Sequence, residues 1–329
     1  MKTIRWGLIG CGDVARKRVA AALQETPGSQ LVAVCQRDAA QLDVFADRFQ
    51  VARRETDAAA LMQDPEIDAV YLATPVAEHH PHTLAAAAAG KHVLVEKPMA
   101  IDVGQCDDMI AACREANVRL GVAYYRRFYP VLARIEQLLD EAAIGEPLAI
   151  AAVTATPMAM APGEEGYWRA EAAASGGGAL MDVGSHRIDA FPQLLGPIEE
   201  VKAFCATIDA PYQVEDTATL LFRFQNGVLG TLQCHFGCQD PDEFTIQGTR
   251  GRLLVRPLNG GTLLIERDGE QTVEHHPPAE NYCIPLVADF LDAVGQQRPP
   301  RVTGELGRAT NLIMQCAYAD AGIAIEPAE

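Results

Sequence analysis

Three groups of residues have types and spacings suited to chemistry. Gly10-Cys11-Gly12-Asp13-Val14-Ala15 follows the apolar run Thr3–Ile9 and opens a stretch rich in Ala and Val at helical spacing. This is a G-x-G-x-x-(G/A) loop in the setting a dinucleotide needs. The first glycine permits a tight turn, the second lets a pyrophosphate approach the backbone, and the small third residue lets helix pack on strand. Gly10, Cys11, Gly12, Asp13 and Val14 are therefore the candidate phosphate-loop residues, with backbone N–H groups as donors. Lys97 stands between Glu96 and Pro98, just past the apolar run His92–Val95. That is the carboxyl end of a strand, where sites in parallel sheets form, and a lysine there can exchange a proton with a substrate. Asp182 and His186 are four positions apart. On a helix they share a face and reach one substrate atom, or each other as an ordinary ion pair.

A fourth group bears on which dinucleotide binds. An acidic residue is expected about 20 positions past the glycine loop, where it accepts the ribose hydroxyls of NAD. Gln36 and Arg37 stand there instead, with Asp38 two residues late. Gln36 does not repel a 2′-phosphate and Arg37 attracts one. The sequence thus leans towards NADP over NAD, with Asp38 as a counterweight that could turn to the ribose or pair with Arg37.

The elements that must position these residues alternate over the first 122 positions. Strand-like runs Thr3–Ile9, Leu31–Cys35, Ala69–Ala73, His92–Val95 and Val118–Val122 are separated by helical stretches, among them Asp13–Gln24, Gln41–Phe49 and Asp102–Ala116. Such alternation predicts an α/β, doubly wound parallel sheet of Rossmann type, with residues 1–122 as the dinucleotide-binding domain. The pattern then changes. Phe128–Ala143 reads as one amphipathic helix, and consecutive β runs follow, divided at Gln225-Asn226-Gly227 and Asp268-Gly269 by hairpin-turn chemistry. Residues 284–296 and 304–320 return to helical pattern. Residues 123–329 are expected to form an α+β, mostly antiparallel open-sheet domain for substrate binding and oligomerisation. The runs Ala218–Phe224 and Val228–Phe236 put Leu220, Phe222, Phe224, Leu229 and Leu232 on sheet surfaces. An open sheet face predicts a homodimer or homotetramer.

Bulk properties narrow the partners. Hydrophobic residues make up 49 % of 329, enough for two cores. The net charge of −17 repels nucleic-acid phosphate and anionic lipid, so neither nucleic acid nor membrane is an expected partner. The segment Met1–Gly10 does not read as a signal peptide, because its short apolar run carries Arg5 and leads straight into the glycine loop. Nine cysteines without a CxxC pair read as reduced thiols of a cytoplasmic protein. Cys234 and Cys238 flank His235, but on a strand neighbouring side chains diverge, and no metal is expected.

Beyond these groups, Lys91-His92-Val93-Leu94-Val95-Glu96-Lys97-Pro98 with Ala73-Thr74-Pro75 resembles the Gfo/Idh/MocA oxidoreductase family, which includes inositol and sugar dehydrogenases. Tyr167-Trp168-Arg169, the Gly176–Asp189 run, Glu215-Asp216-Thr217 and Gly248-Thr249-Arg250-Gly251 resemble the family's second domain, in order. The resemblance implies an NAD(P)-dependent dehydrogenase acting on CH–OH groups of a polyol, sugar or cyclic diol. It makes Lys97 the catalytic lysine, with Asp182 and His186 around the reacting oxygen and either Lys97 or His186 as base. It places Thr74, Pro75, His79, Glu96 and Lys97 along the nicotinamide half, and Tyr125, Arg126, Trp168 and Arg169 on the substrate side. It further implies a cis Lys97–Pro98 bond. Two alternatives share the fold: an NAD-dependent glycoside hydrolase and a non-catalytic cofactor-binding sensor.

Overall fold

The computed structural model describes residues 3–158, 160–209, 211–239 and 242–324. They fall into two units, residues 3–125 with Asn281–Asn311, and Arg126–Glu280 with residues 312–324.

The first unit holds β1 (Ile4–Ile9), β2 (Ser29–Cys35), β3 (Arg53–Glu55), β4 (Ala69–Leu72), β5 (His92–Val95) and β6 (Leu120–Val122). Their order is β3-β2-β1-β4-β5-β6, all parallel, so the succession of strands runs one way from β1 to β3 and the other way from β4 to β6. Strands buried on both faces need near-continuous apolar sequence, which β1, β4 and β5 supply: Trp6, Leu8, Tyr71, Leu72, Val93 and Leu94 are all inaccessible. The intervening helices are α1 (Ala20–Glu25), α2 (Ala39–Phe49), α3 (Ala58–Gln63), α4 (His79–Ala88) and α5 (Val103–Glu115). Asp38, Asp57 and Asp102 start α2, α3 and α5 by accepting backbone N–H groups at their first turns. β3, Arg53-Arg54-Glu55, carries no apolar residue that could have announced it.

The second unit contains α6 (Pro130–Asp140), α7 (Ala172–Ser175) and α8 (Ser185–Leu195). Its strands are β7 (Pro147–Thr156), β8 (Ile198–Ala206), β9 (Thr217–Phe224), β10 (Leu229–Phe236), β11 (Glu243–Gly248), β12 (Gly251–Val255), β13 (Thr262–Arg267) and β14 (Glu270–His275). They form one eight-stranded sheet, order β14-β13-β12-β11-β7-β10-β9-β8, antiparallel except where β7 meets β10. Phe191 of α8 packs edge-on against Phe222 and Phe244, each 5.7 Å away, and closes one face. The other face is open. The expected surface set needs correction here. Leu220, Phe222, Phe224 and Leu232 are buried, and Leu229 alone of the five is exposed. Period-two alternation separates the faces, but sequence alone does not say which face the helices cover. On the open face Leu229 is joined by Leu221 and by Phe204, which is 85 % exposed.

The chain ends with α9 (Cys283–Gly295) and α10 (Gly304–Asp320). Asn281–Asn311 clusters with the first unit, unlike the expected division at residues 122 and 123. The cause is apolar packing: Phe290 of α9 lies 5.5 Å from Trp6 of β1, and a Cβ on Gly121 would come within 2.9 Å of the Phe290 ring. Among the described residues no helix is long and apolar enough to cross a membrane.

Candidate active site

The glycine loop lies where β1 and β4 part, the switch point of the first sheet. Gly10 has φ +96°, and a Cβ there would sit 2.5 Å from the Ala73 carbonyl oxygen, so only glycine fits. A Cβ on Gly12 would meet no atom within 4 Å, so this residue is glycine without any crowding from the protein itself. Ala15 is inaccessible, as the packing role of the third position requires. The helix opening at Asp13 winds as a π-helical turn over Ala15–Val19 before α1. Cys11 turns its thiol into the core towards the Cys35 carbonyl, so only its backbone faces the loop's task.

At the end of β2, Asp38 takes neither role open to it in the sequence. Its carboxylate accepts from Ala40 N at 2.9 Å and Gln41 N at 3.1 Å, capping α2. Arg37 is 85 % exposed and stands 3.8 Å from Glu78. Gln36 donates to Gln41 at 3.3 Å.

The turns after β4 and β5 are tied together by His79. Its ring nitrogens lie 3.0 Å from the Pro98 carbonyl and 3.1 Å from the Thr74 carbonyl. The ring is wholly buried, and burial lowers its pKa to about 4 although both carbonyls favour the imidazolium. As a neutral ring His79 carries one N–H and donates to only one of these carbonyls, standing against the other turn without exposed surface. The Lys97–Pro98 bond is cis. Glu96 is buried beneath Lys97, accepting from the Tyr71 hydroxyl at 2.8 Å and from Lys97 N at 3.2 Å. Burial pushes its pKa up, while the Lys97 charge and the Tyr71 hydrogen bond pull it back. Lys97 is half-buried. The Thr74 hydroxyl is buried with no hydrogen-bond partner among the described residues.

Sequence reading missed a cluster beside these turns. The Arg18 guanidinium lies 4.7 Å from the Tyr282 ring centroid, and it donates to the Tyr125 hydroxyl at 3.2 Å. Tyr125 and Tyr282 stack at 5.7 Å. Tyr125 is therefore held in the first unit by partners more than 100 positions away, and no local spacing signals that.

In the second unit, Asp182 and His186 lie on one helical run that begins as a π-helical turn, Leu180–Gly184, and continues as α8. Asp182 faces Arg169 Nε at 3.5 Å, and Arg169 in turn lies 4.7 Å from the Trp168 ring. His186 is nearly buried. The glycines before this run are held by Glu215, whose carboxylate accepts from Gly178 N and Leu180 N, both at 2.9 Å, and from the Tyr318 hydroxyl at 2.7 Å. A Cβ on Gly178 would lie on the Glu215 carbonyl, and one on Gly177 would collide with the Tyr318 hydroxyl. A carboxylate at a helix start opposes the helix dipole favourably. Burial raises the Glu215 pKa against those same hydrogen bonds.

Residues 4–124 match the profile of an oxidoreductase family with an NAD-binding Rossmann fold, and residues 132–254 match the GFO/IDH/MocA C-terminal domain. The chain belongs to the Gfo/Idh/MocA oxidoreductase family. It is similar to oxidoreductase P35 of Formosa agariphila, 33 % identical over 86 % of this chain and 88 % of that one. It is also similar to 1,5-anhydro-D-fructose reductase of Ensifer adhaerens, 32 % identical over 92 % of both. Among solved structures it superposes on levoglucosan dehydrogenase in complex with NADH and levoglucosan, with TM-score 0.88, 24 % identity and 97 % of each chain covered. This Gfo/Idh/MocA chain is an NAD(P)-dependent oxidoreductase. Its residues fit that cofactor: Gly12 leaves open space where a pyrophosphate meets backbone N–H groups, and the buried Thr74 hydroxyl lacks a partner that an amide could supply.

Proposed function

We propose that the chain catalyses reversible hydride transfer between NADP(H), or NAD(H), and a secondary alcohol or carbonyl of a sugar, polyol or cyclic diol. The observation that carries this reading is the braced Lys97 turn. A lysine at the end of β5 is backed by Glu96 and Tyr71 and fixed by His79, on the sheet whose switch point holds the glycine loop. Three buried groups spent on positioning one lysine suit acid–base work better than a surface charge. The names of the relatives supply the substrate class.

In this reading Gly10, Cys11, Gly12, Asp13 and Val14 hold the pyrophosphate by backbone, and Thr74 and Pro75 line the nicotinamide half. The nicotinamide, when bound, supplies the hydride acceptor or donor. Lys97 and His186 handle the proton of the reacting hydroxyl, one as base and the other as polariser, and Asp182 orients that oxygen with Arg169 as its partner. Trp168 and Arg126 contact the rest of the substrate. NADP is preferred, because Asp38 is engaged as a helix cap and leaves Gln36 and the exposed Arg37 to meet a 2′-phosphate.

The chain self-associates as a dimer or tetramer through the open sheet face. There the strand register aligns Leu221, Thr231, Ala151, Thr245, Leu254 and Leu264 across six strands. It works in the cytoplasm, in keeping with nine free thiols. The testing experiment is a dehydrogenase screen of sugars, polyols and cyclic diols, with their oxidised forms, against both cofactors. Cofactor reduction with a sugar or diol supports the proposal, and hydrolysis of glycosides without net cofactor turnover overturns it.

A further inference from the structure

The second unit has a cleft of ≈ 740 Å³ whose lining includes Arg126, Thr154, Thr156, Val183, Asp242 and Arg256. Val183 follows Asp182, so the helical turn carrying that carboxylate forms part of the cleft wall. Charge inside the cleft is unbalanced. Asp242 binds Arg187 and also stands 3.7 Å from Arg126, so one carboxylate serves two guanidiniums. Arg187 is completely inaccessible and Arg126 nearly so. Of the other nearby acids, Asp189 is taken by Arg127 through contacts of 2.8 and 2.9 Å, and Asp182 faces Arg169 at 3.5 Å. Arg256 and Glu243, 3.7 Å apart at the rim, cancel each other.

Among the described residues the pair is therefore left with one positive charge, in a chain whose net charge is −17. Its hydrogen-bonding capacity is unspent as well. Among the described residues, Nε and Nη1 of both Arg126 and Arg187 are buried without a hydrogen-bond partner. A buried N–H without an acceptor is costly, and a charged one more so, and Arg126, the one of the pair that lines the cleft, brings its guanidinium to the cleft wall in that state. Guanidinium groups match carboxylates in shape and bind them through paired, charge-assisted hydrogen bonds. A surplus of one charge fits a monoanion better than a dianion.

We propose that this cleft binds the carboxylate of an acidic sugar or polyol, with Arg126 as the specificity-determining residue. The inference takes its sugar and polyol class from the proposed function and adds the anionic group. Neutral sugars leave the Arg126 charge unmatched and bind weakly.

The test is calorimetric binding of D-gluconate, D-glucuronate, D-glucose and D-glucose 6-phosphate to the full chain, as wild type, Arg126→Gln and Asp242→Asn. The carboxylates should bind at least about tenfold more tightly than glucose, the scale of one charge-assisted contact. Arg126→Gln should remove that preference, and Asp242→Asn, which enlarges the positive surplus, should keep or increase it. Glucose binding as well as the carboxylates, a preference for the phosphate, or an unchanged preference in Arg126→Gln would each overturn the inference. Because binding is read directly, carboxylate binding without any turnover counts against the proposed reaction and leaves this site standing.

Discussion

His79 gives the brace beneath Lys97 a measurable signature. The ring titrates at about 4 in the folded chain against 6.5 for an ordinary histidine, because burial disfavours its charged form. Above pH 6.5 both folded and unfolded states hold it neutral, and it adds no pH dependence. Between 6.5 and 4 the unfolded chain takes up a proton that the folded chain refuses, so stability falls as pH falls. A shift of this size amounts to about 3 kcal/mol, lost at up to about 1.4 kcal/mol per pH unit. His79→Gln removes the titration and weakens the link between the Thr74 and Pro98 turns, at a cost of about 1–3 kcal/mol near neutrality. Urea unfolding of both proteins at steps from pH 7 to pH 4 isolates the term. Carboxylates and the half-buried His92 contribute to both curves and cancel in the difference. The stability gap between wild type and variant should close, or reverse, as pH falls towards 4. A gap that stays constant over that range would refute the account of His79 as a buried neutral strut.

Three other outcomes follow from the site. Arg37→Ala and Gln36→Asp should each shift the ratio of specificity constants towards NAD(H), Arg37→Ala by roughly tenfold, since a charge-assisted contact at an exposed arginine lies at the low end of its range; no shift in either variant removes Arg37 as a phosphate reader. His186→Ala and Asp182→Ala should lower turnover with cofactor affinity unchanged, and the double variant should cost little more than the worse single one, whereas additive losses would show independent roles. Phe204→Glu with Leu221→Glu should convert the oligomer to monomer in light scattering, and a wild-type monomer at micromolar concentration would end the self-association proposal.

Legibility in the sequence followed the physics of each feature. The parallel sheet was readable because strands buried on both faces must be apolar throughout, and the glycine loop because backbone geometry admits so few residues at Gly10. β3 was not, since Arg53-Arg54-Glu55 forms an edge strand with no apolar signature. The two π-helical turns, one after the glycine loop and one bearing Asp182, are set by hydrogen-bond register and have no residue-type signal. Lys97, Asp182 and His186 stood out through motif context. Their supports did not, because Tyr71 beneath Glu96, Tyr318 on Glu215 and Tyr282 against Arg18 are contacts between distant segments. That the Asp38 carboxylate caps α2 was not legible either, because where a helix starts is set by backbone geometry. The second sheet's alternation was plain, but which face α8 covers depends on packing that no single strand encodes.

The central claim is that Lys97 does acid–base work. Its most direct test is single-turnover cofactor reduction by Lys97→Met, which keeps side-chain length and removes the amine, with cofactor affinity measured alongside. The account predicts a fall of at least about 10²-fold in the chemical step, with the cofactor still bound and the fold intact. A folded Lys97→Met variant that turns over within about threefold of wild type, far short of the usual scale of acid–base loss, would contradict it.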